Sequence, residues 1–283
     1  MNHKTKLISD QIREKTTLID QINILKNAYS GEECFILTAG PSLGMIEIDK
    51  LREVTRGKLV IAVKQAYNII PDLVDIHVIN PYNYQLYKFI NDPIKIFVDV
   101  KGSTLKSPGY NPDLRFEIDN KAAGIREKSL AFTREYERFE IDSSLLRPWG
   151  PGIMHELVIY LPTLFGCKSI KILGWDLGNK GNSIIPHYYE TKNIFKISEI
   201  IIMKTLPIKY YNIYIRYTNY LRTALFKYNN KIRLNLPGAT DNEANFIAAS
   251  TEKLFKYYLS KNIKFEVISE ISMLHDTIPR IRL

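Results

Sequence analysis

His187 lies in a loop between Pro186 and two tyrosines, Tyr188 and Tyr189. A loop histidine beyond a strand end is well placed to take a proton as a general base. His77 falls inside an apolar run and His155 on a helical stretch, positions that suit structural roles, and His3 and His275 stand near the two ends of the sequence. Gly40-Pro41-Ser42 follows directly on the apolar run Cys34-Phe-Ile-Leu-Thr38. Glycine there lets the backbone approach a ligand, and the following amides and hydroxyl can hold phosphate. A plain strand-to-helix turn explains the same tripeptide. Arg147-Pro-Trp-Gly-Pro-Gly152 precedes a helical stretch. Its glycines, Gly150 and Gly152, suit an anion at a helix start, or simply a tight loop. Asp176, Asn179 and Asn182 have a loose cation-like spacing that also shapes a turn. The sequence has no HExxH, cysteine cluster, Walker A loop, GxGxxG or GxSxG. Metal hydrolysis, P-loop chemistry, dinucleotide redox chemistry and acyl-transfer hydrolysis therefore find no support.

These residues need a scaffold, and the apolar pattern supplies one. Short, nearly continuous apolar runs occur at 34–38, 58–63, 76–79, 94–98, 169–173, 232–236 and 265–268. Helical segments separate them: a leading helix over 5–28, then 154–165 despite Pro162, 192–228 broken near Pro207, and 250–261. Such alternation predicts an α/β fold, a Rossmann-like, mostly parallel sheet with helices on both faces. The stretch of about 101–145 mixes Gly, Pro, Asn and charges and reads as an irregular lid insertion. The expected organisation is an N-terminal helix over 1–29 and one α/β domain over 30–283. Ligands of open α/β sheets sit at the carboxyl ends of the strands. Gly40-Pro41-Ser42, Lys64-Gln65, Asn80-Pro81, Asp176 and Pro237-Gly238 all fall there, which predicts a nucleotide-type pocket.

The chain has 283 residues, 45% hydrophobic and 24% charged, enough to bury a core without staples. Cys34 and Cys167, its two cysteines, sit in apolar stretches and read as reduced, buried thiols. The N-terminus lacks the apolar core of a signal peptide, and no apolar run is long enough to span a bilayer. A cytoplasmic location is the expectation. The net charge of +9 is concentrated: residues 191–240 hold nine Lys/Arg against one acid, Glu199, with six tyrosines interleaved. That segment reads as a solvated basic helix face or as a contact for anionic lipid headgroups on the inner face of the cell membrane. No nucleic-acid motif accompanies it.

Several motifs occur together in one order. Gly31-Glu-Glu-Cys-Phe-Ile-Leu-Thr-Ala-Gly-Pro-Ser-Leu43 opens the sheet, and Asn80-Pro81 ends a later strand before Tyr82-Asn-Tyr-Gln-Leu-Tyr87. A glycine-bearing helix start leads to Leu164-Phe-Gly-Cys-Lys-Ser-Ile-Lys-Ile-Leu-Gly-Trp-Asp176, then come His187-Tyr188 and Leu234-Asn-Leu-Pro-Gly238. Over about 30–270 this resembles the bacterial sialyltransferases of glycosyltransferase family 42. It is similar also to the sialyltransferase-like domain of flagellin-glycosylation factors and to the archaeal pterin diphosphokinase.

The resemblance implies a GT-A-variant, sialyltransferase-like fold with a lid. It also implies inverting transfer of sialic acid from a CMP-activated donor to a glycan acceptor of surface polysaccharide or lipooligosaccharide, with no metal or other cofactor. By this resemblance His187 is the base, and Tyr188 and Tyr189 stand in for the tyrosines that hold the leaving phosphate. By the same resemblance Gly40, Pro41, Ser42, Asn80, Gly152 and Asp176 are expected to face the nucleotide, with Lys64 and Gly150 as further candidates beside them. The chain departs from the family at Ala39 and Lys64, where the family has Asn, and places Gly178 and Ile184 at the aligned tyrosine positions. The donor is therefore open among sialic acid, another nine-carbon acid, Kdo or a different nucleotide sugar. Two further readings stand beside this one. The first is a pyrophosphokinase of the 6-hydroxymethylpterin diphosphokinase type, using ATP and a divalent cation. The second is a non-catalytic protein binding through the basic patch. A homo-oligomer is compatible with all three.

Overall fold

The computed structural model describes residues 2–80, 87, 89–100, 110–119, 135–148, 152–176, 241–269, 272 and 274–283. Seven strands form one sheet: β1 (Glu33–Leu37), β2 (Leu59–Val63), β3 (Ile76–Ile79), β4 (Ile94–Val100), β5 (Leu114–Ile118), β6 (Ser169–Leu173) and β7 (Lys264–Ile268). Their order is β5-β4-β3-β2-β1-β6-β7, and every neighbouring pair is parallel. β2 and β3 are buried along their whole lengths. That is why Leu-Val-Ile-Ala-Val and Ile-His-Val-Ile read as continuous apolar runs: both faces of a parallel sheet are covered.

One face carries α1 (His3–Arg13), α2 (Leu18–Leu25), the 153–165 segment and α6 (Asp241–Ser260). Ile12, Leu25, Tyr29, Ile36, Ile61, Ile76, Ile96, Leu157, Phe165, Ile172 and Tyr258 belong to that core. The other face carries a 3-10 turn over Pro41–Met45, α3 (Ile48–Thr55) and a 3-10 turn over Lys64–Asn68. They pack Leu43, Leu51, Ala66 and Tyr67 against Phe35, Val60, Ala62 and Leu173. The two outer strands each gain a parallel bridge, Ile118 with Arg147 and Val267 with Arg280, which shortens the exposed edge.

Three sequence expectations change. The leading helix is two helices. Thr17 takes extended backbone and its hydroxyl accepts the Asp20 amide at 3.2 Å, so α2 starts afresh there. Ile19, within the expected leading helix, is exposed. The 154–165 helix is likewise broken, into α4 (Ile153–Glu156), a 3-10 turn (Val158–Tyr160) and α5 (Leu161–Leu164). Pro162 lacks an N–H and tolerates only the first turn of a helix, so α5 begins at it. Finally, the stretch read as irregular contains β5. Leu114, Phe116 and Ile118 are buried while Arg115 and Glu117 face out, the alternation of an edge strand with one covered face.

Candidate functional site

β1 is the strand where the sheet changes direction. From it the chain adds β2 to β5 on one side, and β6 and β7 on the other. Such a reversal leaves a crevice beyond the carboxyl ends of the two strands flanking it, here β1 and β6. The Gly40 amide donates to the Gly174 carbonyl at 2.8 Å, joining the two loops. The approach admits no side chain: a Cβ on Gly40 would lie 2.2 Å from the Gly174 oxygen and 2.4 Å from Asp176 Oδ2. Gly174 has φ +75°, and a Cβ there would lie 2.5 Å from the Thr38 oxygen. Both glycines are thus dictated by backbone meeting backbone.

Asp176 locks this junction. It is 2% exposed. Its Oδ2 accepts the Ser42 amide at 2.8 Å, and its Oδ1 accepts the Ser42 hydroxyl at 2.6 Å and the Ser269 hydroxyl at 2.7 Å. Three donors compensate a buried carboxylate for lost water. One side chain therefore joins the segments following β1, β6 and β7. The Ser42 amide and hydroxyl, expected from sequence to face a phosphate, are both turned onto Asp176 in this structure.

The next strand ends add charge. Lys64 follows β2 with φ +51°, a left-handed conformation that costs a non-glycine residue about 1–2 kcal/mol. Burial holds the Lys64 pKa below its ordinary value, and the Glu156 carboxylate opposes that fall. Glu156 comes from α4 and is 5% exposed. The Lys64 carbonyl meets His77 Nε2 at 2.9 Å. Asn80 ends β3, 6% exposed, and its Oδ1 has no hydrogen-bond partner.

Arg147 ties residues 139–148 to α4. Arg147 is fully buried and donates to three main-chain carbonyls, those of Glu156 (2.9 Å), Ser144 (2.9 Å) and Phe139 (2.6 Å). Its guanidinium lies 4.7 Å from the Tyr160 ring centroid. Burial lowers its pKa to about 10. Gly152 caps α4 with φ 104°, and the His155 ring on that helix packs against Trp175, centroids 5.4 Å apart. Burial drops His155 to a pKa of about 3, so it is neutral at ordinary pH.

The structure thus brings Gly40, Ser42 and Asp176 into contact, and the Glu156 carboxylate acts on Lys64 through its charge. Asn80 lies at the end of β3, and Gly152 at the start of α4. Gly150, His187, Tyr188, Tyr189 and the 191–240 patch lie outside the described residues. Of Pro41, only the backbone is described. Ser269 and Glu156 went unremarked in the sequence, and Arg147 was read only as the first residue of a loop motif. Ser269 carried a usable signal, because it follows an apolar run directly. Glu156 and the buried role of Arg147 carried none, since helix packing alone brings them in. Among the described residues no cluster of three His, Cys, Asp or Glu side chains is placed to hold a metal ion. No described helix is long and apolar enough to cross a membrane.

No family model matches the chain, and no curated protein matches it in sequence. Among solved structures it is similar to the MAf glycosyltransferase from Magnetospirillum magneticum AMB-1, at 8% identity and a TM-score of 0.44 over 98% of this chain. The chain spans 38% of the length of that protein. It is similar also to a mammalian sialyltransferase in complex with Gal-beta-1-3GalNAc-ortho-nitrophenol, at 9% identity and a TM-score of 0.40, over 95% of this chain and 86% of that one. These likenesses assign neither an activity nor a residue role. The α/β class rests on the seven-stranded parallel sheet itself.

Proposed function

We propose that the chain is a glycosyltransferase that holds a nucleotide-activated sugar across the carboxyl ends of β1, β2, β3 and β6. The proposed donor is a CMP-linked 2-keto acid sugar, sialic acid or a relative, and the acceptor a glycan hydroxyl in surface polysaccharide or lipooligosaccharide. One observation carries the reading. The Gly40-Pro41-Ser42 loop and Asp176, far apart in sequence and both part of the family resemblance, meet at the order reversal of the sheet. In this reading Asp176 holds the first loop in shape. Lys64 meets the phosphate, Asn80 offers its side-chain oxygen to a donor group of the ligand, and Gly152 stands at the start of α4.

The chemistry is an inverting displacement. The acceptor hydroxyl gives its proton to His187 as its oxygen bonds the anomeric carbon. The bond from that carbon to the phosphate oxygen breaks, and CMP leaves with the electron pair. Tyr188, Tyr189 and Lys64 stabilise the departing phosphate without a divalent cation. The basic 191–240 segment keeps the enzyme beside anionic lipid, where lipid-linked acceptors lie.

A thermal-shift panel of CMP, CDP, UDP, GDP and ATP, with and without magnesium, tests the donor. CMP should raise Tm without metal. A shift by ATP with magnesium alone would instead favour the diphosphokinase reading, and no shift by any nucleotide would favour a binding protein. With a CMP-sugar donor, His187→Ala should lower turnover by roughly 10²–10⁴ and leave Tm unchanged. Undiminished turnover would remove His187 from the mechanism.

A further inference from the structure

His77 sits in the middle of β3 with no exposed surface. Its ring centroid is 5.1 Å from that of Tyr67, 4.4 Å from Tyr87, 5.7 Å from Phe89 and 5.5 Å from Tyr110. Such an aromatic surround would suit a phenylalanine or a leucine equally well. The imidazole differs in one contact, Nε2 at 2.9 Å from the Lys64 carbonyl oxygen. A carbonyl only accepts, so Nε2 carries the proton. Nδ1 is then the bare nitrogen, and it has no hydrogen-bond partner. Burial lowers the His77 pKa to about 3, so the ring is neutral and this tautomer is the working one.

The receiving residue is unusual in its own way. Lys64 is one of three non-glycine residues with positive φ among the described residues, and it alone directly follows a strand. The left-handed turn at Lys64 leads from β2 into the 3-10 turn Lys64–Asn68. It does so at the sheet end where the Glu156 charge opposes the fall that burial imposes on the Lys64 pKa. A lysine forced into this conformation needs something to hold it, and strain retained at a ligand-facing strand end is a mark of function.

We propose that His77 is a positioning residue for Lys64: its Nε2 proton pins the Lys64 carbonyl and so holds the Lys64 ammonium as a contact for the phosphate of a bound nucleotide. The proposal rests on the nucleotide-binding reading above and adds the device that aims the cation. Glu156 belongs to it as the counter-charge that opposes the lowering of the Lys64 pKa by burial.

The test compares CMP with cytidine, which lacks the phosphate, by calorimetric titration of the full chain. His77→Phe and Lys64→Met should each weaken CMP about ten- to hundredfold, the scale of one charge-assisted hydrogen bond, and leave cytidine unchanged. His77→Gln keeps an N–H at a similar reach and should restore CMP affinity to within about threefold. The double variant should lose no more than Lys64→Met, because both changes act through one contact. Should His77→Phe fail to fold, His77→Leu takes its place. CMP affinity equal to wild type in a folded His77 variant or in Lys64→Met, or equal losses of CMP and cytidine, would overturn the proposal.

If the wild-type chain binds no CMP, the nucleotide reading fails, and the Lys64 ammonium itself decides the positioning claim. Its titration is followed by NMR of 13C-methylated lysines, with Lys64→Arg to assign the signal. Removing the His77 N–H should move the Lys64 pKa up toward that of an ordinary lysine. An unmoved Lys64 would show that His77 does not position it.

Discussion

At the scale of single residues, the buried polar groups behind the strand ends fall into two kinds. Asp176 has both carboxyl oxygens hydrogen-bonded, with Ser42 and Ser269 donating to it. His77 and His155 are neutral and buried among rings. The second kind makes stability depend on pH. Each histidine has its folded pKa lowered from 6.5 to about 3 by burial. Between those values the unfolded chain binds more protons than the folded one. Their contribution is therefore whole above pH 6.5 and is lost as the pH falls toward 3. At pH 5 the loss is roughly 2 kcal/mol for each histidine. Urea midpoints should drop accordingly between pH 7 and pH 5, and His155→Phe should remove about half of the slope that these two residues contribute. An unchanged slope in that variant would mean that His155 is not held neutral by the fold.

At the scale of elements, the sequence was most legible where burial is two-sided. β1, β2, β3 and β6 announce themselves as nearly continuous apolar runs because both faces of the sheet are covered. β5 was hidden for the opposite reason: at the edge only one face is covered, and Arg115 and Glu117 made Leu-Arg-Phe-Glu-Ile look like part of a charged loop. Its alternation of period two was the available signal. Phe116 is fully buried, and Phe116→Ala should cost about 3–5 kcal/mol. A change of Glu117 to Thr should stay within about 0.5 kcal/mol. Denaturant midpoints of the two variants measure the contrast, and similar midpoints would argue that β5 is not an integral strand. The helix breaks at Thr17 and Pro162 were legible in residue type, since a Thr that caps and a Pro that cannot donate both end helices. An apolar period running across them masked the breaks.

At the scale of the molecule, the N-terminal helices do not form a separate appendage. Ile8, Ile12, Ile22 and Leu25 belong to the same buried cluster as Cys34, Ile36, Ile61 and Ile76 of the sheet. Polar ties reinforce this: the Asn2 amide donates to Asp75 at 2.9 Å, and Arg13 reaches Asp113 at 2.7 Å. Folding should therefore be cooperative from α1 to the sheet. Ile12→Ala should lower the whole transition by about 2–5 kcal/mol. Far-ultraviolet dichroism and tryptophan fluorescence should still report one midpoint. A separate early loss of helix signal would show α1 and α2 to be an independent unit.

The linear order of residues by itself determined the alternation of helices and strands, the parallel class of the sheet, and the habit of placing Gly, Lys, Asn and Asp just past strand ends. Those features are local: they follow from burial period, turn chemistry and the needs of a covered sheet. Only the tertiary structure decided which strand ends meet. Gly40 touches Gly174, Ser269 reaches Asp176 across 93 positions, and His77 bonds a lysine just past the end of the neighbouring strand. Strand order and register create those contacts, and neither leaves a periodic trace along the chain.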